Sequence, residues 1–458
     1  MSIVLFVYAK GGPPLEYALS KAAAQAEVHL LALSEPPPSS KDSCARLCAS
    51  VTYPSPQGQQ DLVELIVERA KDIGADAVTT LSEYAVVAVA AACAELGLAG
   101  AGANSVLARD KRLMRKTWEL GGVPQPRFRH VVTADDLEEA ARTIPFPMLL
   151  KAAWSAGSTA HQIILAPEDM DAAWQRARRV MAESKQLGFA ELHVADAGED
   201  FLVEEIVRGT PEGWFTEEGW GDYVSVEGIV ADGVYHPVCL SGRLPTVAPF
   251  TERASITPVS LPRTVEERIV ELSRAAVDTL GLENCGTHTE IKLGRDGEMW
   301  VIETAARFGG AMTVPQIEEV FGLDLIGMLT AHLLGRTVPW PASILTREDS
   351  RGAAGSLVVL AVDSHGDPWP DRRLWDFPAV DWPSLVSDGS RLSVVSEHSL
   401  TDGTPVPVYD PSAGANTMAA LCLLNAVDPV TVVRDFEALV DAMPRVLPAA
   451  SETEGGRR

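Results

Sequence analysis

The stretch from Thr287 to Glu303, THTEIKLGRDGEMWVIE, constrains this chain more than any other. Two short segments with strand-like composition flank Asp296-Gly297, a dipeptide that suits a two-residue hairpin turn because both positions accept positive φ. Such a turn sets a register. Arg295 lies opposite Glu298, Leu293 opposite Trp300, Ile291 opposite Ile302, and Glu290 opposite Glu303. Ile291, Ile302, Leu293 and Trp300 then form a buried face. Two carboxylates directly opposite one another repel, and a hard divalent cation between them turns that repulsion into a binding site. Arg307, Phe308 and Gly309-Gly310 follow closely on Glu303. A carboxylate pair, a guanidinium and pliable backbone together suit metal-assisted chemistry on phosphate. A surface hairpin bearing two unrelated acids is the alternative reading.

At 458 residues the chain has the length of roughly three domains. Its 46% hydrophobic content supplies several cores. No apolar run reaches the length of a membrane span. The opening Ser2–Tyr8 is too short for a signal-peptide core and reads as a first strand, so a cytoplasmic chain is expected. The six cysteines, Cys44, Cys48, Cys93, Cys239, Cys285 and Cys422, show no metal-ligand spacing and read as reduced, mostly buried thiols. A net charge of −25 argues against a nucleic-acid partner, since phosphate backbones need basic surface.

The first hundred residues alternate strand and helix. Strands are expected at Ile3–Val7, Val28–Leu33 and Ala77–Leu81. Helices are expected at Leu15–Ala26, Asp61–Ile73 (ended by Gly74) and Tyr84–Leu96 (ended by Gly97). That order predicts an open parallel sheet with helices on both faces, whose ligands sit beyond the carboxyl ends of the strands. Those ends carry Lys10-Gly11-Gly12, Ser34 and Ser82-Glu83, which makes Glu83 a candidate substrate contact. An acid favoured by a helix dipole explains it equally well. Asn104–Glu119 reads as a basic helix, a pattern most often found on a solvated face.

Strand, helix and strand follow at Arg127–Val132, Asp135–Thr143 and Met148–Lys151. A small-residue loop at Trp154–Thr159 could wrap phosphate with its N–H groups. Phe201–Val207 is a strand interrupted by Glu204-Glu205, two acids suited to a ribose beside an apolar slot. Tyr223–Val230 and Val234–Leu240 form a second hairpin around Asp232-Gly233, and Thr264–Leu280 a long helix. Residues 350–445 are strand-rich with a closing helix, and Ser451–Arg458 reads as a disordered tail.

Taken in order, these pieces resemble the ATP-grasp superfamily. Lys111, Lys151 with its loop, Glu204-Glu205, Glu290, Glu303 and Arg307 carry the resemblance over residues 1 to about 335. Within the superfamily the chain is most similar to the L-amino-acid ligases, carboxylate–amine ligases. TTLSE at Thr79–Glu83, YVSVEG at Tyr223–Gly228, PFTE at Pro249–Glu252, GTHTE at Gly286–Glu290 and ETAARFGG at Glu303–Gly310 carry that narrower likeness.

The resemblance implies an α/β chain of ATP-grasp fold. It would have an N-terminal open parallel-sheet domain (1–105), a central lid domain (106–205) and a C-terminal α+β domain (206–458) with an added strand-rich part. It implies ATP as cosubstrate, Mg2+ with Mn2+ as a possible replacement, and homodimers. Lys111 and Lys151 would hold ATP phosphates. Ser155, Ala156, Gly157 and Ser158 would close over them, and Glu204, Glu205 and Val207 would lie at adenine and ribose. Glu290 and Glu303 would ligate the metal. Arg307 would balance charge at the transferred phosphoryl group, with Lys151 beside it in catalysis. Glu83 and Glu252 would meet an ammonium group, and Gly309 and Gly310 a carboxylate.

The chain departs from the pattern at Ala305, where the family often has an Asn metal ligand, and at Ala152, where Pro is usual. Arg243 and Arg253, flanking Glu252, hint at an anionic substrate. Trp214, Phe215 and Trp220 read as a core cap or as pocket lining. The expected activity is ATP-dependent joining of an amino acid to an amine through an acyl phosphate, in peptide or natural-product biosynthesis. A carboxylase activating bicarbonate and a nucleotide-binding regulatory module without catalysis are the other readings.

Overall fold

The computed structural model describes residues 1–53, 61–155, 160–186, 200–411 and 413–450. Three sheets organise it. In the first, β1 (Ile3–Tyr8), β2 (Glu27–Ala32), β3 (Cys48–Thr52) and β4 (Ala77–Thr79) run parallel in the order β3-β2-β1-β4. The near-continuous apolar run IVLFVY of β1 is what a strand covered on both faces requires. The helices α1 (Leu15–Ala23), α2 (Lys41–Leu47), α3 (Leu62–Ile73) and α4 (Val86–Leu96) connect these strands. Gly74 and Gly97 end α3 and α4 in the left-handed region, at φ 66° and 67°. α2 and edge strand β3 have no counterpart in the sequence reading. β3, CASVT, is only half-buried and lacks the apolar weight that announces a central strand.

The helix α5 (Lys111–Gly121) leads to the second sheet. There β5 (Phe128–Val131), β6 (Met148–Ala152), β7 (Gln162–Ile164) and β8 (Phe201–Glu205) pair antiparallel as β5-β8-β6-β7. Its core packs against α6 (Ala134–Ala140) and α7 (Met170–Gln186) through Leu137, Trp174, Ala177 and Met181.

The third sheet has eight strands in the order β13-β12-β9-β10-β11-β14-β18-β16. These are β9 (Tyr223–Ala231), β10 (Val234–Arg243), β11 (Ala254–Thr257), β12 (Cys285–Leu293), β13 (Met299–Ala305), β14 (Ala353–Val359), β16 (Arg391–Val394) and β18 (Ala420–Ala426). A short ribbon pairs β15 (Leu374–Trp375) with β17 (Thr404–Pro405). One face carries the largest core, with α8 (Arg263–Leu280) and α11 (Pro429–Val446) laid on it. The other face meets α9 (Thr313–Phe321), α10 (Leu325–Leu333) and the first sheet, through Ile229, Cys239, Phe308, Ile317 and Leu325. Among the described residues no helix is long and apolar enough to cross a membrane. All six cysteines are free, and only Cys48 is not fully buried.

The β12–β13 hairpin departs from the register read from its turn. Asp296 and Gly297 do take positive φ, 54° and 81°, and Glu298 N–H donates to Arg295 O. Gly294 N–H, however, donates to Glu298 O, an irregularity that slips the ladder by one residue. Leu293 therefore pairs with Met299, Lys292 with Trp300 and Ile291 with Val301. A bulge between Glu290 and Ile291 restores the original phase, so Glu290 does face Glu303. The buried face is Ile291, Leu293 and Val301; Ile302 and Trp300 are half-exposed.

Candidate active site

Strand alternation builds the site. In β9, YVSVEGIVA, Val224, Val226 and Val230 enter the large core, so Tyr223, Ser225 and Glu227 stand on the opposite face. The ladder sets His288 beside Glu227, Glu290 beside Ser225 and Lys292 beside Tyr223, and Glu303 lies beyond Glu290. One row across three strands thus carries Ser225, Glu290 and Glu303.

Cations approach Glu303 from two sides. Lys111 opens α5 behind its N-cap Asp110, and its Nζ lies 3.2 Å from Glu303 Oε1 and donates to Ser155 O at 2.7 Å. Burial pushes the Glu303 carboxyl up, but Lys111, Lys151 and Arg307 outweigh it and hold the pKa at about 2. Lys151 projects from β6 to Glu204 Oε2 at 2.7 Å, and Arg115 Nε reaches Glu204 Oε1 at 2.7 Å. Against the upward push of burial, Arg115 and Lys151 hold Glu204 at about 2. In this structure Glu204 is thus a buried partner of both Arg115 and Lys151. Glu205 is likewise engaged, accepting from Arg127 N and Nε at 2.9 and 2.7 Å. Val207, past the end of β8, is half-exposed.

Arg307 leaves β13 and sets Nε 2.7 Å from Glu83 Oε2, while its Nη1 donates to Phe308 O. Glu83 is buried, with Arg109 Nε 3.7 Å from its Oε1. The Arg109 guanidinium lies 5.3 Å from the ring centres of both Tyr84 and Trp154. The first sheet's carboxyl edge, the β6 loop and the hairpin strands meet there. Glu252 lies farther along the large sheet and accepts from the Tyr223 hydroxyl. Its side chain is 44% exposed, whereas Arg243, whose Nε lies 3.5 Å away, is 3% exposed and donates to Ser225 Oγ. Arg253 faces elsewhere and donates to the carbonyls of Asp363 and Ser364, so only one of the two flanking arginines belongs to the site.

Glu227 is fully buried. One oxygen lies 2.5 Å from His288 Nδ1 and the other accepts from Gly309 N at 3.1 Å. His288 Nε2 lies 3.5 Å from Glu290 Oε1. Burial alone would lower the His288 pKa, but Glu227 and then Glu290 raise it to about 9, so the ring is cationic at neutral pH. A carboxylate–imidazolium–carboxylate chain thus runs from the core to Glu290 and tethers the Gly309-Gly310 turn.

Among the described residues no group of three or more His, Cys, Asp or Glu side chains is arranged to hold a metal. Glu290 and Glu303 form a pair. A pair suits Mg2+, which keeps waters and completes its octahedron with a substrate's phosphate oxygens. Ala156, Gly157 and Ser158 lie outside the described residues; Ser155 is described and buried. Trp214 and Trp220 are buried and Phe215 stacks on Trp220 at 5.0 Å, so this trio caps the core.

Arg109, Arg115 and Glu227 also belong to the site, beyond the residues expected from the sequence. The expectation of a solvated basic helix gives way to a break at Arg109-Asp110, after which Lys111, Met114, Arg115 and Trp118 share the buried face of α5. That 111-114-115-118 spacing was legible as an inward stripe. Glu227 lies in the YVSVEG segment of the family likeness, but its role had no such local signal, because a single acid on a strand face is commonplace.

The family model described as "ATP-grasp domain" matches residues 144–315. The chain is 37% identical over 350 residues to the alanine–anticapsin ligase of Bacillus subtilis (strain 168), covering 76% of this chain and 73% of the relative. Its fold is similar to the L-amino acid ligase from Bacillus licheniformis, with a TM-score of 0.72 over 99% of both chains at 17% identity. It is also similar to the biotin carboxylase domain of the Hydrogenobacter thermophilus 2-oxoglutarate carboxylase, solved with MgADP and bicarbonate. There the TM-score is 0.62 at 17% identity, covering 93% of this chain and 86% of that one.

Proposed function

This chain belongs to the ATP-grasp superfamily, among its L-amino-acid ligases, and from that membership we propose how its site joins two substrates. It is an ATP-dependent, ADP-forming carboxylate–amine ligase acting on amino acids. The observation that carries our reading of the site is the opposed Glu290–Glu303 pair, with Lys111, Lys151 and Arg307 as the cations acting on Glu303.

A free carboxylate is a poor electrophile toward an amine. In our reading, a carboxylate oxygen of one amino acid attacks the γ-phosphorus of ATP in line, and the bond to the ADP oxygen breaks. The amine nitrogen of the second substrate then attacks the acyl carbon of the acyl phosphate. The carbon–oxygen bond to phosphate breaks and the nitrogen loses a proton. Such chemistry needs positioning and charge balance more than a nucleophilic side chain.

Lys111 and Lys151 hold the phosphates, and Glu204 keeps Lys151 aimed. Arg307 offers donors to the transferred phosphoryl group and the tetrahedral intermediate, and its Glu83 partner leaves it for, or shares it with, a substrate ammonium. Glu252, the more exposed acid, meets the same ammonium group. Glu227 engages the Gly309 N–H and so fixes the turn, and the N–H of Gly310 beside it faces a carboxylate. A divalent ion, Mg2+ in our proposal with Mn2+ able to replace it, would be held by Glu290 and Glu303. When bound, it neutralises charge on phosphate oxygens.

The test is isotopic. With an 18O-labelled donor carboxylate, an acyl-phosphate route moves one 18O into the released phosphate. Unlabelled phosphate alongside normal amide formation would defeat the proposal.

A further inference from the structure

The chain enters β7 through Ala160, at φ 62°, and His161. The antiparallel ladder pairs Leu149 with Ile163 and ends with Leu150 opposite Gln162, so Lys151 and His161 are the residues next beyond its last pair. Lys151 carries its ammonium to Glu204. The charges that act on the His161 ring are those of Lys151, Lys111, Glu303 and Glu204. Its Nε2 is buried and has no hydrogen-bond partner among the described residues. Such orphaned buried atoms are few in a folded chain, and each one asks for a reason.

Burial, then Lys151 and Lys111, push the His161 pKa down to about 3, so the ring is neutral. A neutral imidazole has one N–H to donate and adds no charge to a site already holding two ammonium groups. An apolar side chain would fill the same volume without stranding a polar atom beside those charges. Phosphate oxygens are the acceptors that such a site is built to receive.

We propose that His161, next to Lys151 at the end of the β6–β7 ladder, is a further nucleotide-contacting residue and donates Nε2–H to a phosphate oxygen of ATP. This rests on the ligase reading of the site given above.

The test is nucleotide affinity, measured by calorimetry on the full chain for wild type, His161→Met and His161→Gln. Methionine fills the space without a donor, whereas glutamine carries an amide N–H close to the place of Nε2. His161→Met is expected to bind a non-hydrolysable ATP analogue about tenfold more weakly and adenosine as well as wild type does. His161→Gln should stay within about threefold of wild type for both ligands. Unchanged affinity of His161→Met for the ATP analogue would overturn the proposal, and so would an equal loss for adenosine, which would make His161 a packing residue. Should His161→Met fail to fold, His161→Asn, whose amide stops short of the Nε2 position, is held to the same two outcomes. A wild-type chain that binds no nucleotide would overturn the ligase reading and this inference with it.

Discussion

At the scale of single residues, the site balances charge rather than supplying a nucleophile. Glu303 stands between Lys111 and the opposed Glu290, and Arg307 between Glu83 and the Phe308 carbonyl. Each has a task that a neutral side chain cannot perform. We expect Glu303→Ala and Arg307→Ala each to lower kcat/KM by about a hundredfold or more, the cost typical of removing a group that stabilises transition-state charge. Their far-UV circular dichroism should match wild type. Near-normal turnover in either variant would remove that residue from the proposed machinery.

At the scale of elements, α5 ties two sheets together through one guanidinium. Arg115 Nε binds Glu204 on β8 and Nη2 donates to Ile302 O on β13 at 2.6 Å. Ile302 is the residue left over by the β12–β13 bulge, which is why its carbonyl is open to Arg115. Arg115→Ala strands Glu204 as a buried carboxylate with Lys151 alone. A loss on the order of 3–5 kcal/mol in chemical denaturation is expected; a loss below about 1 kcal/mol would show that the clamp is not structural.

The same region shows how far the sequence could be read. Opposed glutamates followed closely by an arginine and paired glycines are local signals, and they were legible. The path of the ladder between turn and glutamates was not. Two irregularities that cancel leave the end points unchanged and the middle shifted, and nothing in THTEIKLGRDGEMWVIE marks them. α2 and β3 escaped for another reason. They are short and half-polar; β3 gains its identity by pairing with β2, and α2 by packing on β3 and α1. Glu227 becomes meaningful only once three strands and the Gly309 turn have been brought together.

At the scale of the whole molecule, the buried ionisable groups set a pH window. Glu204 and Glu303 are held at about 2, down from the ordinary 4.5. Their contribution is therefore fully present above 4.5 and lost as pH falls through about 2. His288 is raised from 6.5 to about 9. Its pairing with Glu227 is fully present below 6.5 and lost as pH rises through about 9. Burial lifts Glu266 to about 7, so its stabilising neutral form is lost between 4.5 and 7. For these groups stability is greatest near pH 4.5 and declines from there to the alkaline side, through Glu266 first and His288 above pH 6.5. The melting temperature should fall from pH 7 to 9.5, and His288→Gln should flatten the part of that fall above pH 7. An identical alkaline fall in the variant would take His288 out of the account.

The most direct test of the central claim is metal-dependent phosphate release from ATP across amino acids offered singly and in pairs, with products weighed by mass spectrometry. The account predicts release that requires a pair, ADP as the nucleotide product, and a new species one water lighter than the sum of the two amino acids. Phosphate release that depends on bicarbonate and ignores every amino acid would contradict it.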